Sequence, residues 1–139
     1  SEPNSKPVPA VTVQWLDAPE EHDYPAAVSY LSLVMAPAAV TAAVAALAKA
    51  GTTYFAAKDL LRAARLPLLE RDNVHVASDL KKIHGGKPLS PVLVLRGDAS
   101  RAHPAVIADG YHRVCASYYS SENSPVAVRI VPMPTTPAS

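Results

Sequence analysis

Asp109, Gly110, His112 and Arg113 fall within five consecutive residues, and together they spell an anion-binding chemistry. They follow the apolar run Ala105-Val106-Ile107-Ala108, whose β-branched members suit a buried strand. Tyr111, Val114, Cys115 and Tyr118 then recur at i, i+3, i+4 and i+7, which predicts a helix with one apolar face. Gly110 stands at the join, where a sharp strand-to-helix turn can require positive φ. Asp109 or Gly110 can cap the helix. His112 and Arg113 lie off the apolar stripe and inside the first turn, beside unpaired N–H groups and the positive end of the helix dipole. Two basic side chains there have the wrong sign for helix stability, and such local conflicts gather at functional sites. The plain alternative is a cap, a turn and two solvated residues.

The rest of the chain must hold that junction in place. It has 139 residues, 49% of them hydrophobic, with a net charge of +1. That composition predicts one globular domain over 1–139 rather than a disordered chain. Near-neutral charge argues against a broad DNA-binding surface. No apolar run approaches the ~20 residues of a membrane span. The Ser-Glu-Pro start lacks a signal-like apolar core, so the expectation is cytoplasmic. One cysteine excludes an internal disulfide and a cysteine-based zinc cluster.

Residues 1–52 read as an arm and a helical hairpin. Pro3, Pro7 and Pro9 predict an extended arm. Val11, Val13 and Trp15 alternate as in a short strand or docking segment, with Trp15 packed on the body. A first helix, capped by Asp23 or Tyr24 with Pro25 in its first turn, is predicted to run to about Met35 with Val28, Leu31 and Met35 inward. His22 beside Glu20, Glu21 and Asp23 reads as a solvated helix start rather than a metal site. A second helix opens at Pro37, carries Val40, Val44 and Leu47, and ends at Gly51.

Residues 53–131 read as the core. A short strand over 52–56 precedes a helix over 58–65 with a basic stripe of Lys58, Arg62 and Arg65. A further helix, capped by Asp72 or Asn73, carries Val76, Leu80 and Ile83 and stops at Gly85-Gly86. His75 and His84 read as surface or satisfied side chains, and Lys81 and Lys82 as favourable helix-end cations. A Lys87-Pro88-Leu89-Ser90-Pro91 loop enters the strand Val92–Leu95, and Arg96–Pro104 turns it toward the next strand. Arg96-Gly97-Asp98 reads as turn chemistry. The last strand, Val126–Val131, puts Val126, Val128 and Ile130 on one face and Arg129 on the other. Pro132, Pro134 and Pro137 make a tail over 132–139.

This order of pieces resembles the ParB/sulfiredoxin-like superfamily over roughly residues 53–131. Pro91-Val92-Leu93-Val94 is similar to the family's Pro-hydrophobic-hydrophobic-Val strand. Gly110-Tyr111-His112-Arg113 is similar to its Gly-x-His-Arg turn. The resemblance implies a small α+β fold, a mixed sheet with packed helices, preceded here by the helical hairpin. It implies nucleotide phosphates bound by Gly110, His112 and Arg113, with Lys87 and Ser90 lining the same pocket. Sulfiredoxins use ATP, ParB proteins use CTP, and a free-serine kinase is related to them. A nucleoside tri- or diphosphate with Mg²⁺ is therefore the implied ligand, and a nucleotide hydrolase or phosphotransferase the implied enzyme. Asp109 would then bind Mg²⁺ or accept a proton. No metal held by the protein alone is expected.

The departures narrow this. Sulfiredoxins carry their reactive cysteine where this chain has Tyr111, and Cys115 falls on the apolar helix face. Sulfinic-acid reduction is therefore not expected. The regions that follow the nucleotide domain in ParB proteins are missing, which argues against direct sequence-specific DNA binding. The alternative is a non-catalytic module that keeps the fold and meets a protein or nucleic acid through Lys58, Arg62 and Arg65.

Overall fold

The computed structural model describes residues 12–134. The arm expected over 1–10, Val11 of the first expected strand and Pro137 of the tail lie outside the described residues. The order of elements is α1 (Asp23–Leu31), α2 (Pro37–Lys49), β1 (Thr53–Ala56), α3 (Ala57–Ala64), α4 (Val74–His84), β2 (Val92–Arg96), β3 (Val106–Asp109), α5 (Tyr111–Ser120) and β4 (Pro125–Pro132). A short 3-10 turn, Ala99–Arg101, lies between β2 and β3.

The α+β class follows from how the apolar residues alternate. Val92 and Val94 of β2 face a core shared with Leu60, Val76, Ile83 and Val114 of α3, α4 and α5. Leu93 and Leu95 face the other way, onto Ala27, Leu31, Val40 and Leu47 of α1 and α2. Both faces of the sheet are covered, so β2 reads as an unbroken apolar run. The hairpin of α1 and α2 is therefore not an appendage but the layer that closes one face.

The strand order is β1-β4-β2-β3. β4 is central, antiparallel to β1 with Thr53 opposite Val128, and parallel to β2 with Val94 opposite Ile130. β3 returns antiparallel along β2, with a register shift between Leu93 and Val94 and Asp109 opposite Leu93. The faces of β4 match the sequence reading. Val126 and Val128 are buried beside α5, and Arg129 donates from Nη1 to the carbonyls of Leu47 (3.4 Å) and Ala48 (3.0 Å). Leu47 O also accepts from Ala50 N, so Arg129 adds to the bonding at the end of α2 and ties the hairpin to the sheet.

Several expectations need correction. α1 stops at Leu31 rather than near Met35, and it buries Asp23, Ala27 and Leu31 while Val28 is exposed. The small Ala27 side chain lets the helix approach β3, which Val28 would obstruct. Asp23 does not cap α1; His22 holds that position without a side-chain bond, and the Asp23 carboxylate accepts from Glu20 N at 2.9 Å. Pro132 does not stop the sheet, because it takes the last position of β4 opposite Arg96. Gly51 follows α2 without a left-handed turn. Other boundaries match: Asn73 caps α4, its Oδ1 accepting from His75 N and Val76 N. Trp15 packs on the core and donates from Nε1 to Pro125 O at 3.1 Å.

Candidate functional site

β3 ends at Asp109, and Gly110, at φ 112°, turns the chain into α5 with no side chain across the helix end. A Cβ at Gly110 would lie 2.9 Å from Val92 Cγ2 and 3.0 Å from Arg113 Nη2. Glycine is needed both for the dihedral and for the space. The first N–H groups of α5 have no intrahelical acceptor, so they are free to meet a ligand.

Arg113 does not project outward. Its Nη2 donates to Asp109 Oδ2 at 3.1 Å and to Pro91 O at 3.3 Å, and its Nη1 lies 4.0 Å from Asp23 Oδ1. The side chain is only 15% exposed, and Nε has no hydrogen-bond partner among the described residues. Asp23 is 1% exposed and adjoins the Asp109 carboxyl. Burial pushes the Asp109 pKa above its usual value; Arg113 opposes that shift and Asp23 adds to it. An acid–base–acid cluster thus joins α1, β3 and α5 under the helix mouth.

A polar cavity of about 230 Å³ opens beside it, lined from below by Asp109, Gly110, His112 and Arg113. Its opposite wall is α4, through His75, Ser78, Asp79 and Lys82. Those four lie at i, i+3, i+4 and i+7, a polar stripe set against the apolar Val76, Leu80 and Ile83. The His75 and His112 rings meet across the cavity with centroids 4.8 Å apart. Burial pushes the His112 pKa down, with His75 and Arg113 adding to the effect and Asp79 opposing it. Burial also pushes Asp79 up, against the pull of Lys82, whose Nζ lies 3.9 Å away, and of Arg113, His112 and His75.

The structure thus brings together Asp109, Gly110, His112 and Arg113 but leaves Lys87 and Ser90 out of the cavity lining. Lys87 is exposed beyond the end of α4, where Gly86 at φ 73° has turned the chain and Lys87 N donates to Lys82 O. Lys82, one turn earlier and in phase with His75, supplies the cation instead. Ser90 is 4% exposed and precedes Pro91, whose carbonyl holds Arg113. His75 is exposed, as expected, yet its ring meets His112 across the cavity, and Asp23 was hidden as a helix-start acid. The polar stripe of α4 was the available signal for His75, Ser78, Asp79 and Lys82. Nothing local in sequence links Asp23 to Arg113. Cys115 is fully buried and burial raises its thiol pKa, which suits packing rather than redox chemistry.

No helix among the described residues is long and apolar enough to cross a membrane. Among them no three His, Cys, Asp or Glu side chains are grouped as metal ligands. Compared with protein-family models, curated proteins and solved structures, the chain matches none. The class defined by the coordinates is an α+β protein whose mixed sheet is covered on both faces and carries a charged cavity at one strand-to-helix turn.

Proposed function

We propose that the β3–α5 junction binds the phosphate end of a nucleotide, as the resemblance to the ParB/sulfiredoxin-like superfamily implies. The observation that carries this is the uncapped N-terminus of α5 opening into a cavity shared by His112, Lys82 and His75. Amide hydrogens, an ammonium and imidazole N–H groups are the donors a phosphate needs. Arg113, already held by Asp109 and Asp23, orients the floor of the cavity and adds positive field.

The cavity volume of about 230 Å³ is below the ~300–1,000 Å³ of whole-ligand pockets. Phosphates enter it, and ribose and base lie outside. Asp79 of α4 and Asp109 at the end of β3 both line the cavity. These two carboxylates would help hold a Mg²⁺ that arrives with the nucleotide. Bound there, the ion would neutralise phosphate charge. If hydrolysis or transfer to an acceptor follows with Asp109 off the ion, its carboxylate on the cavity wall is the candidate proton acceptor. A cytoplasmic setting belongs to the same proposal, in keeping with one free, buried cysteine.

Thermal unfolding with ATP, CTP, GTP or ADP plus Mg²⁺ tests it. A ligand at a hundred times its Kd stabilises the fold by ~2.7 kcal/mol. Lys82→Ala with His112→Ala should remove that gain. A wild-type transition that no nucleotide moves would defeat the proposal. Phosphate release, or a phosphorylated acceptor, then separates an enzyme from a sensor.

A further inference from the structure

The opposite end of β2 carries a second charged feature. There Arg96 ends the strand, about 13 Å along from Val92 at ~3.3 Å per residue. Two hollows of about 470 and 850 Å³ open at this end. They share Arg96, Gly97 and His103, so they adjoin at the strand end as the two parts of a groove. Arg62 of α3 and Arg65, just past its end, line one part and Arg101 the other, with Arg96 lining both. Phe55, Val94 and Ile130 give the narrower part an apolar floor.

The charge balance is positive and partly uncommitted. Asp59 is already met by Lys58 at 3.1 Å and Arg62 at 3.4 Å. Asp98 is met by Arg101 at 3.7 Å and accepts from the Ser100 hydroxyl at 2.6 Å. Arg65 and Arg96 are exposed and have no ion pair or side-chain hydrogen bond within the described residues. The backbone is also bent to this shape. Arg65 (φ 55°) and Ala102 (φ 56°) are the non-glycine residues of positive φ among those described; each ends a helical segment, and Arg65 lines the groove. A Cβ on Gly97 would lie 2.5–2.6 Å from Ala105 N, His103 O and Pro104 C, so only glycine lets the 98–104 loop fold this closely against it.

We propose that this groove binds single-stranded nucleic acid. Its concave shape suits a strand threaded through it, whereas a duplex calls for an element that enters the DNA groove. Repeated arginines match repeated phosphates, and the Phe55 ring, 37% exposed beside them, is a platform for a base. The groove stands at the other end of the sheet from Gly110, so this claim is independent of nucleotide binding there.

Fluorescence anisotropy of a labelled 12-nucleotide thymidine strand tests it on the full chain. Binding at 50 mM salt should weaken with salt, log K falling against log salt with a slope of about 3 for four phosphate contacts. Arg65→Asn with Arg96→Gln should weaken binding at least tenfold and reduce that slope by about 1.4. Asparagine tolerates the left-handed backbone, and circular dichroism checks that the variant is folded. Phe55→Ala should cost fivefold or more. Absence of binding at 50 mM salt, or binding that the double substitution leaves intact, overturns the proposal. So does equal competition by a duplex of the same length or by a polyglutamate peptide.

Discussion

Gly110→Ala probes the junction most sharply. The added methyl meets two costs. A left-handed backbone disfavours L residues by about 1–2 kcal/mol. The methyl would also stand 2.9 and 3.1 Å from the Cγ atoms of Val92, which is fully buried in the central part of the sheet. Forcing such an overpacked contact adds about 1–3 kcal/mol. A loss near 3 kcal/mol corresponds to a Tm lower by roughly 10 °C at this size. Two other glycines separate the terms. Gly86 shares a positive φ of 73° but has nothing within 4 Å of a built Cβ, so Gly86→Ala should cost only about 1 kcal/mol. Gly51 has neither constraint, and Gly51→Ala should be neutral or stabilise by about 0.5 kcal/mol. Urea unfolding of the three variants, with m-values compared, reads the differences. If Gly110→Ala costs no more than Gly86→Ala, Val92 and Arg113 do not crowd that turn and the account of the junction fails.

Arg113→Ala leaves the carboxyls of Asp23 and Asp109 together without their shared cation, so it should destabilise the ligand-free protein by roughly 3 kcal/mol. Asp23→Asn in that background should restore part of the loss, measured by a double-mutant cycle; strict additivity would show that the three groups do not interact. Because the folded-state pKa of His112 is depressed, the stability it contributes is present above its unfolded pKa and lost as pH falls through the folded value. Asp79 and Asp109 have raised pKa values, so their contribution runs the other way and is lost as pH rises from the ordinary carboxylate range through the folded values. Replacing His112 with Asn should therefore flatten the fall in Tm between neutral and mildly acidic pH, and an unchanged profile would count against a desolvated imidazole. Arg129→Met should speed hydrogen exchange in the last turn of α2 while β2 amides stay protected, since Arg129 holds the Leu47 and Ala48 carbonyls.

The parts legible in the sequence were those set by local periodicity. The apolar run of β2, the alternation in β4, the Asn73 cap and the Gly110 turn all depend on neighbours a few residues away. The burial of α1 was misread because Val28 and Met35 are more hydrophobic than Ala27, whereas close approach to β3 rewards the smaller side chain. Half of the cavity was missed for a related reason. The polar stripe on α4 has the same helical spacing as its apolar stripe, but a solvated face and a cavity wall look alike until α5 packs opposite. Lys87 stood nearer the strand in sequence, yet the turn at Gly86 takes it past the cavity that Lys82 reaches. Asp23 comes from a layer whose position against the sheet no local pattern encodes. Its burial against Arg113 changes the role of that arginine from a free phosphate ligand to a held one.

The phosphate reading is tested most directly by amide chemical shifts during titration with Mg²⁺-bound nucleoside triphosphate. Uncapped amides at the start of α5 should respond first, so the Tyr111, His112 and Arg113 signals should move saturably, with those of Ser78 and Lys82 following. Saturable shifts confined to other residues, or no shifts at millimolar ligand, would contradict it.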